Sequence, residues 1–306
     1  MFSLVEKRRY YFIFSGVIIG LGLLAMIVSA ISTGSPLLLG VDFRSGTRFE
    51  VQFEQPVTED AVAQVFAQSG YAGVSIIAIQ GEGLQNAWQA RTPFMAAEEA
   101  QAIESRLNEM SPLLPGTTEV QSVSPSVGAE VTRAAIVAVI VAALAVLFYI
   151  MFVFRQVPHP FRYGACAVIA MLHDLMIIFG FAAITGMLLG WEVDALFLTA
   201  VLTIAGFSLQ DTIIIFDRVR ENIPKRPFEK FEKLVNRSVL EVIHRSLATQ
   251  MNAMFILVAI LVFGGASIKP FVAVLFVGML SGQYSSIFTA APLLVAWEKK
   301  ELPLVK

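Results

Sequence analysis

Six stretches of this chain are each long and apolar enough to cross a lipid bilayer: residues 11–31, 134–154, 163–189, 193–216, 247–265 and 270–297. A spanning helix needs about 20 mostly apolar residues, because hydrocarbon offers no partner to a backbone N–H or C=O and the helix must satisfy its own. The chain is therefore expected to be a polytopic α-helical membrane protein with six transmembrane helices. Composition agrees, with 56% of the 306 residues apolar and 15% charged. Soluble domains carry roughly 45–50% and about 25%, so a disordered chain and an ordinary soluble enzyme are excluded. A net charge of −2 gives no electrostatic footing for nucleic acid, and none is expected as a partner. The single cysteine, Cys166, lies in an apolar run and cannot form an intrachain disulfide. His159, His173 and His244 are far apart, and no Cys/His cluster has metal-ligand spacing, so no metal or cofactor is expected.

The distribution of Lys and Arg sets the orientation. With the N-terminus inside, residues 1–10, 155–162, 217–246 and 298–306 are cytoplasmic and hold 16 of the 22 basic residues. Residues 32–133, on the other side, hold five arginines, no lysine and twelve acids. Both termini are expected in the cytoplasm and the soluble segment outside it. The first stretch follows Lys7, Arg8 and Arg9 as a signal peptide would. Its apolar run is longer than the 7–15 residues of a signal core, so an uncleaved anchor is expected.

The soluble segment reads as β-α-β-β-α-β. Residues 47–53 (TRFEVQF) alternate polar and apolar, as a half-buried strand does. Thr58 caps a short helix to residue 67, with Glu59 and Asp60 in its first turn and Gly70 at its end. Residues 74–79 and 86–91 are strands on either side of a Gly81-Glu82-Gly83 turn, 95–110 is an amphipathic helix and 117–123 a last strand. That order is the split βαβ of a ferredoxin-like domain. Such a domain has no pocket chemistry of its own and suits binding or docking.

Acids inside a membrane cost about 2.5–3.5 kcal/mol each on insertion scales and are kept for function or pairing. Two occur here. Asp174, after His173, falls near the middle of the third helix; it either bonds a neighbouring helix or moves protons. Asp211 lies in the fourth helix beside Ser208, Gln210 and Thr212, bordering a stripe formed by Thr203, Gly206, Gln210 and Asp217. A polar stripe at that depth must face protein or a watered cavity. Burial disfavours a carboxylate and a nearby cation favours it, so an acid set between the two can exchange a proton as the cation comes and goes. The fifth helix offers the cation: Arg245, Thr249 and Asn252 share one face. Arg245 either pairs with Asp211 or snorkels to the surface.

Small residues at four-residue spacing, Gly16/Gly20 in the first helix and Gly278/Gly282/Ser286/Ala290 in the sixth, mark expected close helix contacts. Residues 228–242 read as an amphipathic helix lying at the interface. Phosphate-binding loops, serine-hydrolase elbows and HExxH zinc motifs are absent, and no enzymatic activity is expected. The contexts His173-Asp174 and Gln210-Asp211 fit poorly with those of intramembrane aspartyl proteases.

Six ordered motifs resemble the SecD/SecF family of protein-export membrane proteins over nearly the whole chain. They are GVDFRSGT (40–47), VSPSVGAE (123–130), His173-Asp174, AGFSLQDT (205–212) with FDRVREN (216–222), Arg245, and QYSSIF (283–288) with AAP (290–292). Ser45 and Ser124 stand where the family pattern has glycine, Phe207 where it has tyrosine and Gln210 where it has asparagine. The resemblance implies one half of a pseudo-symmetric bundle related to the RND transporters, with a ferredoxin-like periplasmic domain between helices 1 and 2. The other half would be SecD. The implied setting is a bacterial inner membrane, with the SecYEG channel, YajC and YidC as further partners and a preprotein as substrate. The implied function is preprotein translocation assisted by the proton motive force. The implied proton path is Asp211, Arg245 and, more weakly, Asp174, supported by Ser208, Gln210, Thr203, Thr249 and Asn252. Two other readings stay open on the residues: a structural partner of SecD with no proton-carrying role, and half of a small-molecule RND-type pump.

Overall fold

The structure is a computed structural model that describes residues 3–79 and 85–301. It divides into two compact units. Of the described residues, one comprises 3–38, 137–191 and 196–301; the other comprises 39–79, 85–136 and 192–195.

The first unit is a helical bundle. A 3₁₀ turn, Val5–Lys7, leads into α1 (Arg8–Thr33). The short α2 (Val41–Arg44), α3 and α4 belong to the second unit. The bundle continues with α5 (Pro125–Val153), α6 (Pro160–Leu189), α7 (Ala195–Lys225) and α8 (Phe231–Phe263). The last span is interrupted: α9 (Lys269–Ser285) passes through a π-helical turn, Ser286–Ala290, into α10 (Ala291–Glu298). These make six spans of membrane-crossing length and composition, as expected from the sequence. Half or more of the apolar windows of α6, α7 and the last span is buried, against 6% for α5 and 11% for α8. The former are therefore the centre of the unit and the latter its flanks.

Packing follows side-chain size. The buried residues of α1 are Arg8, Ser15, Gly22 and Ser29, spaced by seven, so one narrow seam of mostly small residues faces inward. At Gly22 the seam touches Gly180 of α6; a Cβ on Gly180 would lie 2.6 Å from the Gly22 Cα. Gly16 and Gly20 have open space around them, so the expected GxxxG contact is not made within this chain. They lie off the buried seam. The ridge of the last span is used, because a Cβ on Gly278 would meet the Ile204 side chain of α7 at 2.2 Å. An aromatic cluster of Phe154, Tyr163 and Phe216 joins α6 and α7 to the end of α5.

Residues 228–242 are not a separate interfacial helix. From Phe231 onward they are the first turns of α8, whose Leu234, Val235, Ser238 and Val239 are buried. Leu234, Val235 and Val239 pack on the bundle core, with Phe231 and Val242 against them, while Phe228 is exposed. Asn236 Oδ1 accepts the backbone N–H of Leu4 at 2.7 Å, and Arg8 pairs with Glu232 at 2.6 Å and Glu301 at 2.7 Å, which ties both ends of the chain to this extension.

The second unit has β1 (Gly46–Gln52), α3 (Glu59–Gln68), β2 (Ser75–Ala78), β3 (Ala87–Thr92), α4 (Ala97–Met110) and β4 (Glu119–Val123). The four strands form one antiparallel sheet in the order β2-β3-β1-β4, the ferredoxin-like arrangement expected. Phe49 and Val51, with Phe53 just beyond the strand, fill one face of β1 against Val62 and Phe66 of α3 and Ile103 and Leu107 of α4. Thr58 Oγ1 accepts the N–H of Ala61 at 3.4 Å, the expected helix cap. The Gly81-Glu82-Gly83 turn lies outside the described residues.

Candidate intramembrane polar site

Two acids are buried within the bundle, and they are held in different ways. Asp174 of α6 is fully buried. Its Oδ1 accepts from Ser281 at 2.6 Å and from His173 Nδ1 at 3.0 Å. Its Oδ2 accepts from Ser208 at 2.5 Å and Ser285 at 2.7 Å. The donors come from three elements: Ser281 and Ser285, one turn apart on α9; Ser208 on α7; and the neighbouring residue on α6. His173 points about 100° away on an ideal helical wheel, yet its ring still reaches the carboxylate. Its Nε2 lies 3.0 Å from Ser15 Oγ of α1, and the Tyr284 hydroxyl donates to the Tyr11 carbonyl at 3.1 Å. Four helices are thus tied to one carboxylate whose acceptors are satisfied.

Asp211 of α7 is also buried, at 4% exposure, with fewer partners. Gln250 of α8 donates Nε2 to Oδ2 at 2.9 Å, and Ser246 supplies a second side-chain hydrogen bond. Gln283 of α9 in turn donates to Ser246 at 3.2 Å. The Oε1 atoms of Gln250 and Gln283 are buried without a hydrogen-bond partner among the described residues. Its hydrogen-bond partners among the described residues, Gln250 and Ser246, are neutral, and the Gln250 and Gln283 carbonyl oxygens in this network are uncommitted.

Arg245 is not one of its partners. It is exposed, as are Thr249 and Asn252, and Thr249 Oγ1 bonds back to the Arg245 carbonyl at 3.0 Å. The face of α8 that meets Asp211 is the next ridge, Ser246 and Gln250. On α7, Ser208 and Asp211 turn inward, Gln210 and Gly206 are exposed, and Thr203 is half-buried. The structure therefore brings Ser208 to Asp174, and leaves Gln210, Arg245, Thr249 and Asn252 on the outer surface of the bundle. Sequence reading missed Ser246, Gln250, Gln283, Ser281 and Ser285. A signal was present: Ser246/Gln250 and Ser281/Ser285 are each polar pairs four apart inside apolar helices. No group of three or more His, Cys, Asp or Glu suited to a metal occurs among the described residues.

Comparison with known proteins agrees with this architecture. Residues 103–300 match a family model described as protein export membrane protein SecD/SecF, C-terminal, and residues 31–57 match the SecD/SecF GG motif. A protein translocase subunit SecF from Thermobaculum terrenum is 42% identical, covering 98% of this chain and 95% of its own length. Protein translocase subunit SecDF of Bacillus subtilis is 33% identical over 97% of this chain, which spans 38% of that protein. The crystal structure of SecDF, a translocon-associated membrane protein from Thermus thermophilus, superposes with a TM-score of 0.79 at 26% identity, covering 97% of this chain and 39% of that one. With two family models covering most of its length and a full-length relative at this identity, the chain belongs to the SecD/SecF family of protein-export membrane proteins, as a SecF-type member.

Proposed function

We propose that the chain is the SecF-type subunit of a proton-driven machine for preprotein translocation, with Asp211 as its proton-carrying acid. The observation that carries this reading is the contrast between the two buried acids. Asp174 has every acceptor filled and serves as a structural knot. Asp211 is held by neutral donors alone, beside uncommitted carbonyl oxygens that can accept from a protonated acid or a water. A site of that kind can carry its proton or release it without breaking the bundle.

The exposed polar groups supply the second half of the argument. Gln210, Thr249 and Asn252 lie within the apolar runs yet face outward from this chain, and Arg245, at the cytoplasmic edge of the run in α8, faces outward with them. Lipid does not solvate such groups, so a partner or a watered gap must cover them. In the SecDF proteins compared above, a chain of this type occupies two fifths of a longer polypeptide. The remainder, SecD, is the natural cover, and Arg245 would meet Asp211 through a rearrangement at that interface. An external proton would weaken that pairing, the bundle would shift, and the soluble domain would move with it while a preprotein leaves the SecYEG channel. A potential of 100 mV supplies about 2.3 kcal/mol per charge, enough to bias such a shift. YajC and YidC are proposed as accessory partners and the bacterial inner membrane as the location, with both termini cytoplasmic and the α+β domain periplasmic. No enzymatic step is assigned.

The test is export of a signal-bearing precursor into inverted vesicles that lack their own SecD and SecF. Vesicles given this chain and its SecD should show gradient-dependent export, and the Asp211→Asn chain at equal membrane level should lose that component. Equal export by both would make the acid structural.

A further inference from the structure

Residues 192–195, the end of the α6–α7 connection and the first residue of α7, belong to the α+β unit. Three separate contacts within that unit hold them. The first is electrostatic. The register of β1 and β3 sets Arg48 directly opposite Arg91 and Glu50 opposite Gln89, on the sheet face away from α3 and α4. Like charges at one cross-strand position repel, so this pair needs a counter-charge. Glu50 pairs with Arg48 at 3.4 Å, and Glu192 supplies the charge for Arg91: its side chain is 5% exposed, pairs with Arg91, accepts from Gln89 and lies 3.8 Å from Arg48. The second contact is backbone. Leu39 and Val193 form a parallel bridge, and the Gly40 N–H donates to the Val193 carbonyl at 2.8 Å. A Cβ on Gly40 would sit 3.2 Å from both Glu192 Oε2 and the Val193 carbonyl, so the approach is close. The third is a helix cap. Asp42 Oδ2 accepts the N–H of Ala195, the first residue of α7, at 2.9 Å, while Oδ1 accepts from Gln121 of β4 at 2.7 Å. A carboxylate there also favours the positive end of the helix.

We propose that residues 192–195 are a strap built into the α+β domain, and that Asp42 and Glu192 are positioning residues through which a displacement of α7, the helix carrying Asp211, reaches that domain as one body. The consequence for export rests on the function proposed above; the rigidity of the strap does not. It also gives the GVDF segment a physical task. Gly40 admits the strap, and Asp42 pins the start of the helix to the sheet.

The experiment uses the full chain with its SecD in proteoliposomes, read by hydrogen exchange and by precursor export. In the wild type the amides of Gly40 and Ala195 exchange slowly. In an Asp42→Ala/Glu192→Ala chain, residues 39–42 and 192–196 exchange at least tenfold faster while β1 and β3 keep their protection, showing that the domain is still folded. Gradient-dependent export falls at least fivefold in that chain, and ATP-driven export does not change. Asp42→Asn, which keeps an oxygen for the Ala195 N–H, restores both readouts. A Leu39→Cys/Val193→Cys disulfide, locking the strap shut, leaves gradient-dependent export equal before and after reduction. Fast exchange of Ala195 in the wild type overturns the proposal. So does gradient-dependent export that survives loss of the strap, or a lock that blocks export until it is reduced. If wild-type vesicles show no gradient dependence at all, the functional reading fails by itself, and the exchange data alone decide whether the strap is rigid.

Discussion

Ser45 has φ +63° and ψ +164°, a backbone region essentially reserved for glycine. The family pattern places glycine at this position, and the serine leaves the turn geometry intact at a cost of about 1–3 kcal/mol. Ser45→Gly is expected to raise the thermal midpoint of the full chain in detergent by a few degrees, and an unchanged or lower midpoint contradicts the strain. Glu50 gives a second test at this scale. Its carboxyl is held above the usual carboxylate range, chiefly by burial, with Arg48 opposing the rise and Glu119 adding to it. A carboxyl raised in the folded state lends its stability below its unfolded value, 4.5, and loses it as pH climbs through the folded one. Glu50→Gln therefore stabilises the chain at pH 7, and the gain fades below about pH 4.5; thermal melts across that range check it. Each serine donor to Asp174 contributes roughly 1 kcal/mol, the scale measured for hydrogen bonds between membrane helices. Ser281→Ala and Ser285→Ala should each lower stability by that order. Both buried acids were legible in the sequence, because charge in an apolar run needs no structure to be noticed. What they bond to was not. Helical spacing gives the faces of one helix and leaves open which face a second helix meets, and so Arg245 was favoured over its neighbour Ser246 and over Gln250.

Among the elements, every span and every strand of the soluble domain was legible, because hydrocarbon thickness and strand alternation write themselves into composition. The differences lie where tertiary contact decides. Residues 228–242 have an amphipathic pattern suited equally to a lipid surface and to a protein groove, and Leu234, Val235 and Val239 found the groove. The small residues of α1 likewise offered two seams; the one used within this chain is Ser15/Gly22/Ser29, leaving Gly16 and Gly20 open. This separates two substitutions of similar size. Gly180→Leu drives a side chain into the Gly22 backbone and should cost about 1–3 kcal/mol or more, whereas Gly16→Leu should leave the stability of the isolated chain unchanged. Melts of the two variants in detergent compare them directly, and equal losses would contradict the packing of α1 on α6.

For the whole molecule, the central observation is that Asp174 is closed off by four donors and Asp211 is left with neutral partners, while the polar groups that could respond to it face out of the chain. Under the function proposed above, such a chain supplies one half of a site and SecD the other. The sequence shows that polar groups exist at membrane depth, but only packed helices show which of them are already satisfied. The most direct measurement is infrared difference spectroscopy on the reconstituted complex of this chain with SecD, stepping the external pH and recording the carboxyl band. If Asp211 carries the proton, a protonation band disappears in Asp211→Asn and persists in Asp174→Asn. A band that survives Asp211→Asn, or one that vanishes only with Asp174→Asn, would contradict it.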